Sequence, residues 1–309
     1  MLGSILLALV PVAGLIAVGY ALRASGFIGE AFWPQAERLA YFFLLPALLF
    51  HSLAMADLGA VQIGGLAAVL VAALCATAAV MIASRRLIVE DGPAFTSAFQ
   101  GGLRFNNYVG LTAAGGLLGA NGLALAAVCN AVIVPVANVL CILVFTRYGR
   151  TRVPLAGVVK TVATNPLVLS CLLGALFQGI GLKIPLGVEG VFRALGQASL
   201  PIGLLCVGAA IEPAAMRFGM RTAAAASVVK FGVMPAVTAA FCVAFGVLGE
   251  AGFVAMLFHS LPTASSAYIL SRQLGGDAPL MAGIIAFQTL LAAVTMPLTL
   301  LAASRWLLP

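Results

Sequence analysis

Apolar runs of about twenty residues follow one another along almost the whole chain, parted by short charged or glycine-bearing breaks. A bilayer core about 30 Å thick is crossed by a helix of about 20 residues, so runs of this length read as membrane spans. They are too long and too uniformly apolar for the alternating strands of a membrane β-barrel, which leaves an all-α membrane protein. Composition agrees. Of 309 residues, 63% are hydrophobic and 8% charged, against roughly 25% charged residues in a soluble domain.

Reading the runs against charge and turn signals predicts ten spans, at about 3–22, 37–56, 61–84, 94–118, 122–146, 155–181, 192–211, 220–247, 250–273 and 279–304. The first run lacks a basic leader and continues past signal-peptide length, so it reads as a span. The net charge of +7 lies mostly in loops and reports orientation rather than nucleic-acid binding. Loops on the side of the first break hold Arg23, Arg38, Arg85, Arg86, Arg147, Arg150, Arg152, Arg217, Arg221 and Arg272. The other side holds Lys183, Arg193 and Arg305. The arginine-rich side is therefore expected to be cytoplasmic, with both termini outside. Compact loops and Ala/Gly/Leu-rich usage suggest a bacterial inner membrane.

Two runs break the apolar rule. One, from Phe95 to Gly119, is interrupted by Arg104, Phe105, Asn106, Asn107, Tyr108 and Gly110. The other carries His259, Ser260, Leu261, Pro262, Thr263, Ala264, Ser265 and Ser266. Lipid offers a charge or an amide no hydrogen-bond partner, so such groups face a cavity or another polar segment. The two stretches are expected to face each other and form one site.

The halves also echo one another. Leu45-Pro46 opens a segment ending at Asp57, and Leu200-Pro201 opens one ending at Glu212, each acid eleven residues after its proline. Phe99-Gln100-Gly101-Gly102-Leu103 answers Phe258-His259-Ser260-Leu261-Pro262, and Gly119-Ala120-Asn121 answers Gly275-Gly276-Asp277. The common order points to two five-span halves, residues 1–150 and 151–309. An odd number of spans gives the halves opposite orientation, which makes an inverted repeat.

Leu45-Pro46-Ala47-Leu48-Leu49-Phe50, Asn165-Pro166, Leu200-Pro201-Ile202-Gly203 and Leu261-Pro262-Thr263-Ala264-Ser265-Ser266-Ala267-Tyr268, with Leu274-Gly275-Gly276-Asp277, resemble the auxin efflux carrier family. That family includes plant auxin carriers and bacterial malate and malonate carriers. The resemblance implies two inverted five-helix repeats whose fourth and ninth spans are broken and cross at mid-membrane, a fold like that of sodium/proton antiporters and bile-acid symporters. It also implies a scaffold of spans 1, 2, 6 and 7, a moving transport domain of spans 3–5 and 8–10, and a homodimer through the scaffold. Plant members carry a proline after the asparagine of the fourth span, and this chain has none there. Pro262 is expected to break the ninth span, and Gly101-Gly102 or Gly110 the fourth.

Asn106 and Asn107 offer amide donors where a broken helix would also present positive N-terminal backbone ends. They could equally satisfy unwound backbone. Arg104 could hold a carboxylate through two N–H groups or cap exposed carbonyls. Thr263, Ser265 and Ser266 could donate hydroxyls to the same ligand or pack helices. Lys230, inside the eighth span, and His259, beside the break, are candidates for proton coupling. Lys230 could instead fill fixed-charge space that a sodium ion holds in distant relatives, or pair with a helix carboxyl end or reach the interface; the two histidines, His51 and His259, make a poor metal site. Asp57 and Glu212 end their spans as ordinary solvated acids. The six cysteines lie in apolar runs without metal-ligand spacing, so no metal or cofactor is expected.

The pattern points to a secondary carrier of small organic anions, mono- or dicarboxylates with auxin-like acids included, working by elevator-type alternating access. An anion channel or a ligand sensor on the same fold is the alternative. An enzyme is not expected: Ser260 and His259 are adjacent and point about 100° apart on a helix, and no aspartate lies deep in a span.

Overall fold

The computed structural model describes residues 2–56, 63–150, 157, 160, 163–182, 184–217 and 219–308. Asp57, Arg152, Lys183 and positions 155, 156, 158, 159, 161 and 162 of the sixth expected span lie outside the described residues. All regular structure among the described residues is helical.

Helix α1 (Leu2–Ala24) leads to α2 (Phe32–Ala54) and α3 (Ile63–Ala83). In α2 the turn at Ala40–Leu44 widens to a π-helix immediately before Pro46. Proline lacks an N–H and crowds the preceding turn, and a widened turn absorbs both defects without ending the helix. Helix α8 (Met220–Ala244) repeats the device, with a π-turn at Val229–Val233 before Pro235.

Helix α4 (Gly92–Leu103) starts where Asp91 accepts a hydrogen bond from Ala94 N at 2.9 Å, with Pro93 in the first turn. It stops at Leu103, and Arg104–Asn106 are non-helical. Helix α5 (Asn107–Tyr148) begins at once. The helical stretch 92–148 holds 57 residues, or about 85 Å at 1.5 Å per residue, far more than a bilayer core. It reverses at Gly119, whose φ of +59° and ψ of −141° suit glycine. Gly122 then lies against the Ala114 carbonyl and Leu123 against Gly115, contacts that a straight helix would hold about 12 Å apart.

Helices α6 (Pro166–Gly179), α7 (Leu186–Ala209), α9 (Gly249–His259), α10 (Ser266–Leu274) and α11 (Ala278–Leu307) complete the bundle. Asn165 caps α6 and Asp277 caps α11 through their side chains. Helices α9 and α10 fall within one apolar run and are parted by residues 260–265, with Pro262 among them.

Seven helical segments among the described residues are long and apolar enough to cross a membrane. Helix α1 packs on α7, and α2 on α6 and α7. Glycine permits the closest of these approaches: a Cβ on Gly208 would meet the Ile16 carbonyl, and one on Gly174 the backbone of Phe50. Helices α4, α5, α8, α9 and α11 pack around a second centre whose largest buried side chains include Phe95, Phe99, Phe253 and Phe258.

One expectation is corrected. Neither Gly101-Gly102 nor Gly110 forms the break of the fourth run. Gly110 is helical, donating to Asn106 O at 3.1 Å. A Cβ there would come within 2.7 Å of Leu261 and 3.1 Å of Phe258, so the glycine makes room for the other broken segment. The break falls at Arg104–Asn106 because the Asn106 side chain starts a new helix, accepting from Tyr108 N at 3.1 Å and Val109 N at 3.3 Å. No proline is needed for that.

Candidate functional site

The two breaks meet. Asn106 N donates to the Pro262 carbonyl at 2.8 Å, so backbone freed by one interruption satisfies backbone freed by the other. Gln288, fully buried on α11, spans both: its Oε1 accepts from Thr263 N at 3.1 Å and its Nε2 donates to the Gly101 carbonyl at 3.0 Å. Each helix end therefore has partners where lipid would supply none.

On the arginine-rich side of the crossing, α4 lies along α10 through a buried polar seam. Gln100 Nε2 donates to Ser271 Oγ at 2.8 Å. Ser97 Oγ donates to the Asp277 carbonyl at 2.8 Å and lies 3.2 Å from Ser271 Oγ. These contacts join the ends of the two interrupted segments well before the breaks themselves.

Arg104 and Ser266 flank the crossing. Arg104 donates to Asn138 Oδ1 at 2.9 Å and to Ser266 Oγ at 3.3 Å. A cavity of about 20 Å³, the size of one water, is lined by Arg104, Asn107, Asn138, Ser266 and Tyr41 with three apolar neighbours. Asn107 Oδ1 is buried without a partner. Thr263 Oγ1 is likewise buried and unpartnered. A buried polar atom without a partner costs about 1–3 kcal/mol, which makes both natural acceptors of a further ligand group or water.

Ser265 donates to the Glu37 carboxylate of α2 across a second, larger cavity of about 240 Å³. Its rim carries Arg23, Glu30, Glu37 and Glu212 with Trp33 and Tyr268. Of the sequence candidates, the structure thus brings Arg104, Asn107 and Ser266 to one cavity and Ser265 to the other. Asn106 is spent on capping α5, the bland reading of that residue, and Thr263 N on Gln288.

Lys230 and His259 lie apart from both cavities. Lys230 is 0% exposed, its Nζ 3.4 Å from Met234 Sδ, and it makes no ion pair among the described residues. His259 is 1% exposed, with Nδ1 2.8 Å from Thr238 Oγ1 and Nε2 unpartnered. Helix α8 packs on α4 and α9, which both end at the crossing and present negative C-terminal dipole ends.

Sequence reading missed Gln100, Asn138, Gln288 and Glu37. Gln288 carried a usable signal: it is the sole amide in the apolar run 278–303, as anomalous there as Arg104 in its own.

A helical membrane protein with two interrupted helices, joined at buried polar breaks beside cavities, has the build of a transporter. Residues 4–300 match the family described as membrane transport protein, and the chain belongs to it, the auxin efflux carrier family. An uncharacterized transporter of Methanothermobacter thermautotrophicus is 24% identical over 293 residues, 92% of this chain and 93% of that protein. An uncharacterized transporter of Methanocaldococcus jannaschii is 26% identical over 204 residues, 65% of this chain and 64% of that one. The protein is a multi-pass membrane transporter.

Proposed function

We propose that this transporter is a secondary carrier of small organic anions, mono- or dicarboxylates with auxin-like acids included. The observation that carries this reading is Arg104 beside the crossing, with N–H groups beyond those given to Asn138 and Ser266, on a cavity it shares with Asn107, whose amide NH2 group can also donate. A guanidinium and an amide at membrane depth, beside the N-terminal end of α5, suit a carboxylate in charge and in hydrogen-bond geometry.

The same reading takes the chain as ten spans in two inverted halves, 1–150 and 151–309. The reversal at Gly119 divides the stretch 92–148, and α9 with α10 forms a broken ninth span. Helices α1, α2, α6 and α7 serve as the scaffold, and a homodimer forms through them. The remainder slides as an elevator, exposing the site alternately, in an inner membrane with both termini outside. Of the coupling candidates, Lys230 suits a charge-balancing role at the C-terminal ends of α4 and α9, and His259 lies beside it.

Thermal unfolding of the purified protein against malonate, malate, acetate and indole-3-acetate tests this. A solute that binds only the folded state stabilises it by RT ln(1 + [L]/Kd), about 2.7 kcal/mol at a hundredfold excess over Kd. The expected result is stabilisation by at least one acid in wild type and none in Asn107→Ala, followed by saturable uptake of that acid into proteoliposomes. Stabilisation by neutral or cationic solutes alone would overturn the anion class.

A further inference from the structure

The 240 Å³ cavity, on the other side of Ser265–Ser266 from the Arg104 cavity, is lined by the carboxylate of Glu37. Glu37, on α2, accepts a hydrogen bond from the Ser265 hydroxyl, which immediately precedes α10. Glu37 forms no ion pair among the described residues. The nearby cation of the cavity, Arg23, is engaged elsewhere: with Glu30 at 3.0 Å, with Glu212 at 3.3 Å and with the Ala209 carbonyl at 2.6 Å. The carboxylate therefore stands at the start of α10, one of the two helices that leave the crossing.

A serine has one O–H hydrogen to give. An ionised Glu37 and the carboxylate of a substrate cannot both accept it, and the two negative charges repel at close range. We propose that Glu37 is an internal competitor: its carboxylate occupies the Ser265 hydroxyl when no substrate is bound, and an organic anion gains that donor by displacing it. This rests on the organic-anion reading above. The contact joins α2 to α10, so displacement also releases a tie between the α1–α2–α6–α7 group and the broken helices. Glu37 thereby sets affinity, and it links occupancy of the site to freedom of the two groups to part.

The test is binding of malonate, malate and indole-3-acetate, by isothermal titration of the purified full-length protein, to wild type, Glu37→Gln and Glu37→Ala. Glu30→Gln and Glu212→Gln serve as controls of equal charge change at the same cavity. The expected result is a dissociation constant about tenfold lower in both Glu37 variants for at least one acid, and less than threefold lower in the controls. Equal or weaker binding in both Glu37 variants overturns the competitor role and leaves the anion reading standing. The same gain in the Glu30 and Glu212 variants also overturns it, because through-space charge would then suffice. If no acid binds wild type or any variant while all unfold cooperatively, the anion reading falls and the role of Glu37 with it.

Discussion

Asn106 N and Pro262 O lie 2.8 Å apart, a backbone hydrogen bond joining two interrupted segments from opposite halves of the sequence. Each residue supplies what the other's interruption leaves unmet. The asparagine side chain meanwhile caps α5, so the neighbouring amides at 106 and 107 have different tasks.

That division can be measured. Asn106→Ala removes a helix cap and is expected to cost about 1 kcal/mol of stability, read as a lower unfolding temperature. Asn107→Ala removes a buried unpartnered carbonyl and is expected to unfold at or above the wild-type temperature while losing stabilisation by carboxylates. The reverse pattern would exchange the two roles.

Gln288 offers a sharper contrast. Gln288→Leu leaves the Thr263 N–H and the Gly101 carbonyl buried without partners, at about 1–3 kcal/mol each. A fall in unfolding temperature well beyond that of Asn106→Ala is expected. A melt within a degree or two of wild type would mean that water reaches the crossing.

Arg104→Lys keeps the charge and loses the fork that serves Asn138 and Ser266 together. Uptake of the stabilising acid should drop at least tenfold, with stability changed by less than about 1 kcal/mol. Wild-type uptake in the lysine variant would show that positive charge alone suffices.

Lys230 is fully buried with no acidic partner among the described residues. Lys230→Met fills similar volume without the desolvation cost of an ammonium, so it should melt higher than wild type. Uptake is expected to fall in the same variant. Raised stability with undiminished uptake would make the lysine dispensable.

The helical, membrane-spanning class and the two interrupted runs were legible because lipid makes each buried polar residue conspicuous: Arg104, Asn107 and Pro262 stand out against apolar sequence. The manner of breaking was not. Gly110 suggested flexibility, whereas its missing side chain admits Leu261 and Phe258. Proline was sought in the fourth run, although an asparagine cap ends one helix and starts the next without it. The polar partners were hidden for another reason. Gln100 meets Ser271 and Arg104 meets Ser266 across more than 160 positions, and nothing local in either stretch announces its mate. Glu37 lay near a span end, where an acid looks ordinary, and its contact with Ser265 depends on how two groups of helices face each other.

The Gln288 amide grips both interruptions at once, one with its oxygen and one with its nitrogen. The arms of the crossing are thus fastened at a single rivet from a third helix. The arms cannot open like scissors without stranding that side chain, so any displacement that keeps its bonds must carry the end of α4, the 260–265 break and α11 together.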